Sequence, residues 1–352
     1  MIGNKFKILI SSDKIKNPNS GLGRVAFDFD AAMIDASQFD FELSFLLANK
    51  PVNGFLANQR AEILTIWKRY FPIYLKKYDL FHASYQGPSY KIKGAKKTIL
   101  TIHDLNFLFT KNEIKQKKYL KRIQSNVNDA DAIVFISNFT YQICLKHLQF
   151  PVNKIIKIIY NGVQLPKCEP IKPYWIPQEP YFFAIGQFLE KKNFHVLMPF
   201  MTKLKGHSII IAGDNNTGYG KKVKDISIDL GIKDRVILSG PVSEAEKLYL
   251  YQNCKAFFVP SIAEGFGLPV IEAMSAGKPV FCSNQTSLTE IGNKHAFYWK
   301  SFEPEAMLEV YINGMNKFTE QARAEAIIYS QQFTWQQNVK EYIELYKLLL
   351  EQ

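Results

Sequence analysis

The stretch Ser261-Ile-Ala-Glu-Gly-Phe-Gly-Leu-Pro-Val-Ile-Glu-Ala-Met-Ser-Ala-Gly-Lys-Pro-Val280 decides how the rest of the chain is read. The apolar run from Cys254 to Val259 before it predicts a buried strand. Gly265 and Gly267 predict a flexible loop. Pro269 suits the first turn of a helix, Gly277 its C-terminal cap, and Pro279 the stop beyond. This order places Glu264 in the loop and Glu272 in the first helical turn. The amides of Phe266, Gly267 and Leu268 are expected to face the loop unbonded, as a binding point for phosphate or a sugar oxygen. A carboxylate would repel a bare phosphate. It makes sense when the ligand also carries hydroxyls, because an ionised carboxylate only accepts hydrogen bonds and can grip two neighbouring O–H groups. Phosphate plus a vicinal diol describes a nucleotide sugar.

The chain has 352 residues, 47% of them apolar, enough for two domains with packed cores. No apolar run approaches the roughly 20 residues that span a bilayer. Met1 to Ser12 reads as a short strand and not as a secretory signal. The four cysteines, Cys144, Cys168, Cys254 and Cys282, are scattered. They form no disulfide or zinc framework and suit a reducing cytoplasm. A cytoplasmic protein is the expectation.

The net charge of +12 is unevenly distributed. Residues 1–165 hold 24 Lys+Arg against 12 Asp+Glu, and residues 166–352 hold 20 against 20. A basic half can face anionic lipid, nucleic acid or an acidic substrate. Lys115, Lys117, Lys118, Lys121 and Arg122 cluster on a predicted helix whose apolar side carries Tyr119, Ile123 and Val127. A basic amphipathic helix can lie on a membrane or simply present a solvated face, so peripheral attachment to the inner face of the cytoplasmic membrane stands as an open alternative to a freely cytoplasmic protein. No nucleic-acid partner is expected.

Strands alternate with helices throughout. Strands are predicted at Lys7–Ser11, Phe41–Leu47, Leu80–Ala83, Thr98–Ile102, Ala132–Ile136 and Ile155–Ile159. A second set falls at Tyr181–Ile185, Ser208–Ala212, Val236–Leu238, Ala256–Val259 and Val280–Cys282. Most are short and continuously apolar, as strands covered on both faces of a parallel sheet are. Helical patterns such as Gly23–Ala36, Asn138–Leu148, Lys221–Leu230 and Glu244–Gln252 lie between them. The fold class is therefore α/β, two doubly wound, Rossmann-like parallel-sheet domains in tandem. Five prolines between Leu165 and Pro180 mark the joint. The expected domains are residues 1–165, acceptor-side and completed by a terminal helix at 335–352, and residues 166–334, which bind the nucleotide sugar.

Ligands of such sheets sit beyond the carboxyl ends of the strands. After the first strand, Gly21 and Gly23 let the backbone approach a phosphate, with Arg24 beside them. Gly21-Leu-Gly-Arg-Val-Ala26 also fits a dinucleotide pattern, but it lies ten residues past Ser11 and no acid closes the second strand. His103, after the fourth strand, can donate to a sugar hydroxyl or phosphate with Asp104 orienting it. Gly186, Gln187 and Lys192 follow the first strand of the second half, where a lysine can neutralise a diphosphate. Gly213 allows close nucleotide approach. Ser137 and Asn161 end strands of the first half and can face an acceptor or simply cap and turn. Asp28-Phe-Asp30 and Asp129-Ala-Asp131 imitate a metal motif but read as structural, and no catalytic metal is expected.

In sequence order, these residues resemble the retaining glycosyltransferases of GT-B architecture, in the large mannosyltransferase-like group with an E-x7-E signature. The resemblance runs through Gly21–Arg24, Thr101–Leu105, Asp129–Ser137, Asn161–Val163, Gly186–Asn193, Ile211–Gly213, Glu264–Glu272 and Phe333–Trp335. It implies two Rossmann-like domains around an interdomain cleft, with the final helix crossing back onto the first domain. It implies that Glu272 binds the donor ribose and Glu264 the transferred sugar, while amides of Phe266 to Leu268 hold sugar and phosphate. Lys192 would balance the diphosphate, the Gly21–Gly23 loop would close over it, and His103 would stand beside the reacting sugar. Gln187 departs from the family, which often has arginine there, and Leu288-Thr-Glu-Ile291 lacks the usual Gly-Asp continuation.

The implied activity is transfer of a hexose from GDP-mannose or a UDP-hexose to a saccharide or lipid-linked acceptor, with retention and without metal, in cell-surface polysaccharide synthesis. The nucleotide sugar would be a co-substrate, and no other cofactor is expected. A catalytically weak nucleotide-sugar-binding subunit and a GT-B sugar-nucleotide epimerase are the alternative readings.

Overall fold

The computed structural model describes residues 5–17, 20–37, 41–49, 55–64, 73–74, 76–88, 90 and 92–351. The chain divides into two compact units, one of Met1–Gly162 with Phe333–Gln352 and one of Val163–Gln332. The first contains β1 (Phe6–Ser11), β2 (Phe41–Leu47), β3 (Ala61–Ile63), a small parallel pair of β4 (Ile73–Tyr74) and β6 (Ile92–Lys93), β5 (Leu80–Ala83), β7 (Lys97–Ile102), β8 (Ala132–Phe135) and β9 (Ile155–Ile158). Seven of these form one parallel sheet in the order β3-β2-β1-β5-β7-β8-β9. Its helices are α1 (Gly21–Ser37), α2 (Phe107–Thr110), α3 (Glu113–Asp129) and α4 (Asn138–His147), with α12 (Trp335–Leu350) supplied from the far end of the chain.

The second unit contains β10 (Tyr181–Ile185), β11 (Ser208–Ala212), β12 (Val236–Gly240), β13 (Ala256–Val259), β14 (Val280–Ser283) and β15 (Phe297–Trp299). They pair in parallel in the order β12-β11-β10-β13-β14-β15. Its helices are α5 (Leu197–Thr202), α6 (Gly218–Asp229), α7 (Glu244–Asn253), α8 (Leu268–Ser275), α9 (Leu288–Gly292), α10 (Pro304–Lys317) and α11 (Glu320–Ser330). Phe182, Phe258 and Phe281 sit on three different strands and stack or meet edge-on inside its core. Each such buried side chain stabilises the unit by roughly 1.5–3 kcal/mol.

Both sheets are parallel and doubly wound, as their continuous apolar strands require. Three expectations need correction. The edge strands β3 and β15 lie outside the predicted set, each being only three residues long. The proline-rich segment belongs to the second unit, where the Ile171 amide donates to the Ala245 carbonyl at 3.1 Å, so the joint falls at Val163 and not at residue 166. Finally, the apolar side of α3 is already used. Ile123 and Val127 are buried in the first unit's core, and the Arg122 guanidinium lies 5.2 Å from the Tyr119 ring centre. Lys115, Lys117, Lys118 and Lys121 alone form its exposed basic face.

A polar network inside the first unit holds α12 in place. His82 on β5 bonds through Nδ1 to the Tyr346 hydroxyl at 2.7 Å and through Nε2 to the Thr101 hydroxyl at 2.8 Å. Thr101 in turn meets the Tyr342 hydroxyl at 2.8 Å. Phe29 of α1 packs edge-on against His82 and Tyr342. Burial, with His103 nearby, pushes the His82 ring from 6.5 down to about 3. The fold keeps it neutral, whereas an unfolded histidine gains a proton below its ordinary value. Stability carried by His82 is therefore intact above pH 6.5 and lost progressively as pH falls toward 3. Tyr346→Phe leaves Nδ1 buried without its partner. It should lower the unfolding free energy at neutral pH by about 1–3 kcal/mol in urea titrations.

Candidate functional site

In the second unit the strand order reverses between β10 and β13, so the loops that follow these two strands emerge side by side. Such a switch point is where open α/β sheets bind ligands. After β10 the chain passes Gly186 and Gln187, buries Phe188 against Phe194, and makes one tight turn at Glu190–Lys192. Asn193, at φ 57°, ends that turn in the left-handed region. The turn carries the Lys192 side chain back over Gly186, where an added Cβ would stand 3.1 Å from Lys192 Cε. Gly213, ending β11, packs so closely that a Cβ there would fall 2.0 Å from the Gly186 carbonyl oxygen.

The loop after β13 brings Glu264 to this turn. Lys192 Nζ donates to Glu264 Oε1 at 2.6 Å, with both side chains largely buried. The Ile262 amide donates to the Lys191 carbonyl at 2.9 Å, which ties the two loops together. Burial opposes the Glu264 charge, but the ammonium groups of Lys192 and Lys191 and hydrogen bonds from Lys192 and Ser261 outweigh it. They hold the carboxyl below its ordinary range. Two residues before α9 fix the same loop from behind. The Glu264 amide donates to Thr286 Oγ1 at 3.1 Å, and the Ser287 hydroxyl donates to the carbonyls of Glu264 and Phe266.

Gly267 caps α8 at φ 108° and ψ 46°, a conformation that costs a side-chain-bearing residue heavily. The first bond of the turn runs from the Val270 amide to the Gly267 carbonyl, and Pro269 has no N–H. The amide of Leu268 therefore opens the helix. Glu272 lies in the second turn, not the first as expected, because α8 starts at Leu268. Helical side chains lean toward the N-terminus, so its carboxylate still reaches back along α8. It accepts from the Tyr251 hydroxyl at 2.7 Å (Oε2) and from Lys247 Nζ at 3.2 Å (Oε1). Sequence reading passed over Lys247 and Tyr251. The available signal was a lysine four residues from a tyrosine on the apolar side of α7.

The first unit has its own switch point, between β1 and β5. There the hydroxyls of Tyr85 and Tyr90 donate to buried Asp13 at 3.1 and 2.9 Å. His103, past β7, is 5% exposed and donates through Nε2 to the Ser84 carbonyl at 2.8 Å. Asp104 does not orient it. Its Oδ1 accepts from the Asn106 amide and closes the next turn. Burial lowers the His103 pKa against the raising effects of Ser84 and Asp104. The neutral ring therefore presents Nδ1 as an acceptor, which reverses the expected role as donor to a sugar. His103 and Asn161 line one pocket together with Lys14, Tyr85, Trp335 and Asn338.

The remaining candidates are placed differently from expectation. Gly21 and Gly23 lie in the first turn of α1 and not in a loop before it. Ser20 accepts from the Gly23 amide at 3.0 Å, and a Cβ on Gly23 would strike the Asn17 carbonyl. Arg24 folds onto Asp28 of its own helix at 2.7 Å. Ser137 caps α4 by accepting from the Thr140 amide at 3.0 Å. Asp131 accepts from the Thr98 amide at 2.7 Å. Among the described residues no group of three or more His, Cys, Asp and Glu side chains is arranged to hold a metal ion.

The family model described as glycosyl transferases group 1 matches residues 171–310, and that of Glycosyltransferase Family 4 matches residues 38–166. O-antigen chain mannosyltransferase B of Escherichia coli is 26% identical across 98% of this chain and 100% of its own. Sucrose-phosphate synthase from Thermosynechococcus elongatus shares the fold at a TM-score of 0.77 and 17% identity, covering 99% of this chain and 100% of that one. HepE of Anabaena, solved with UDP and glucose, does so at 0.76 and 17%, covering 97% and 99%. Each half of the chain thus matches its own glycosyltransferase model, and the chain belongs to the group 1, mannosyltransferase-like glycosyltransferases of GT-B fold.

Proposed function

We propose that this chain transfers a hexose from a nucleoside-diphosphate sugar to a hydroxyl of a saccharide or lipid-linked acceptor, with retained configuration, in the synthesis of a cell-surface polysaccharide. The observation that carries this reading is the Lys192–Glu264 pair at the switch point, with the glycine-capped start of α8 and Glu272 beyond it. The likeness to an O-antigen mannosyltransferase favours GDP-mannose, and HepE with UDP supports a UDP-hexose as the other donor.

In this mechanism the bond from the sugar's anomeric carbon to the diphosphate oxygen breaks, and the acceptor oxygen bonds that carbon on the same face. The acceptor proton passes to the departing diphosphate. Lys192 and the amide at the head of α8 stabilise the charge that develops on the leaving group, with no metal and no further cofactor. Glu264 holds Lys192 in place and offers its other oxygen to sugar hydroxyls. Glu272 grips the ribose diol. In the first unit, neutral His103 offers Nδ1 as an acceptor for a ligand hydroxyl.

The reading is tested by release of nucleoside diphosphate from a panel of donors, with and without lipid-linked acceptor. Lys192→Met should lower turnover by about 10²–10³-fold. Glu272→Ala should weaken nucleotide binding by about ten- to a hundredfold in calorimetry. Donor epimerised without acceptor, or bound and never turned over, would replace this reading with one of its alternatives.

A second element of the proposal is attachment to anionic membrane. No described helix is long and apolar enough to cross a bilayer. With its apolar side packed inward, α3 cannot lie on lipid by that side. Its contact would be the exposed lysines, flanked by Ile114 at 81% and Phe109 at 50% exposure. Replacing Lys117, Lys118 and Lys121 by glutamine should weaken partition onto phosphatidylglycerol liposomes by about 1 kcal/mol per charge, less at high salt. Unchanged partition would leave this face merely solvated.

A further inference from the structure

Glu272 reaches no ligand alone, because two side chains of α7 hold its carboxylate. Lys247 and Tyr251 stand one helical turn apart and face the same way. The rotation of α7 is fixed at its start, where Ser243 and Glu246 form a reciprocal cap. The Tyr251 ring is fully buried and packs at 5.1 Å against both Phe183 of β10 and Phe257 of β13, the two strands of the switch point. That packing aims its hydroxyl at Glu272 Oε2, 2.7 Å away. Lys247, 8% exposed, bridges Glu272 Oε1 at 3.2 Å and Glu244 Oε2 at 3.3 Å. A buried ammonium is costly unless paired, and here two carboxylates pair it.

A carboxylate has about four acceptor positions, two on each oxygen. The phenol takes one position on Oε2 and the ammonium one on Oε1. Each oxygen keeps one, the number and spacing that two adjacent hydroxyls require. We propose that Lys247 and Tyr251 are positioning residues that fix the Glu272 carboxylate as a two-point acceptor for a ribose diol, so that α7 sets the preference for ribose over deoxyribose in the donor. This rests on the reading that Glu272 binds the donor's ribose. Burial, together with the Glu272 charge, pushes the Tyr251 phenol well up, so it stays a donor at neutral pH.

The test is calorimetry on the full chain with GDP, UDP and their deoxyribose forms. The wild type should prefer the ribose form by about tenfold or more, and Glu272→Ala should abolish the preference. Tyr251→Phe and Lys247→Met should each shrink it by about three- to tenfold, and Lys247→Arg should restore part of it. In turnover the change should fall on KM and not on kcat. If Glu272→Ala abolishes the preference and both α7 variants retain it, the proposal is overturned while the ribose reading stands. A wild type without preference sinks the ribose reading and the proposal with it. Tighter nucleotide binding by Lys247→Met would make the lysine a competitor for the carboxylate and overturn the proposal. So would equal losses for ribose and deoxyribose forms that follow the melting midpoint.

Discussion

Where a parallel sheet reverses its strand order, the two loops at the reversal leave in opposite directions and must be held by something other than the ladder. In the second unit the Lys192–Glu264 pair does much of this, at 2.6 Å and with little solvent. The backbone bond from Ile262 to Lys191 keeps the loops at that spacing. An ion pair this enclosed gains little net stability, since desolvation offsets most of the attraction. Its consequence is positional. A cation is fixed at the carboxyl end of the sheet.

The two glutamates of the signature stretch are held by different means. Glu264 faces an ammonium directly and is kept ionised by it. Glu272 shares its charge between a phenol and a lysine that is also claimed by Glu244. The first arrangement leaves a buried cation paired with that carboxylate. The second suits a group that must stay fixed and accept hydrogen bonds. Gly267 couples the two, because its left-handed backbone turns the chain from the Glu264 loop into α8.

Much of this was legible in the sequence because it is local. Strand, glycine loop, proline at the helix start and glycine past its end lie between Ala256 and Gly277, and periodicity and backbone preference place them. The wrong or missing parts depend on contacts distant in the chain. Lys247 and Tyr251 lie more than twenty residues before Glu272 and come to it only because α7 packs on β10 and β13 and aims both side chains at α8. Gly21 and Gly23 read as a loop because glycine weakens helices, but the Ser20 cap and the nearness of the Asn17 carbonyl place them inside α1. The basic helix α3 showed a correct amphipathic pattern whose apolar side turned out to serve the core, a choice that periodicity alone does not make.

Two histidines show how little separates a structural group from an available one. His82 sits within β5, and His103 follows the end of the adjoining β7. Inside the strand both ring nitrogens of His82 find hydroxyls from Tyr346 and Thr101, so nothing is left for a ligand. Past the end of the strand, His103 meets only the Ser84 carbonyl through Nε2, and the opposite nitrogen remains an acceptor. A carbonyl cannot donate, so the bond to Ser84 fixes the tautomer, and burial disfavours the second proton. His103 thus cannot easily act as an acid. The chemistry open to it is to accept a hydrogen bond from a hydroxyl.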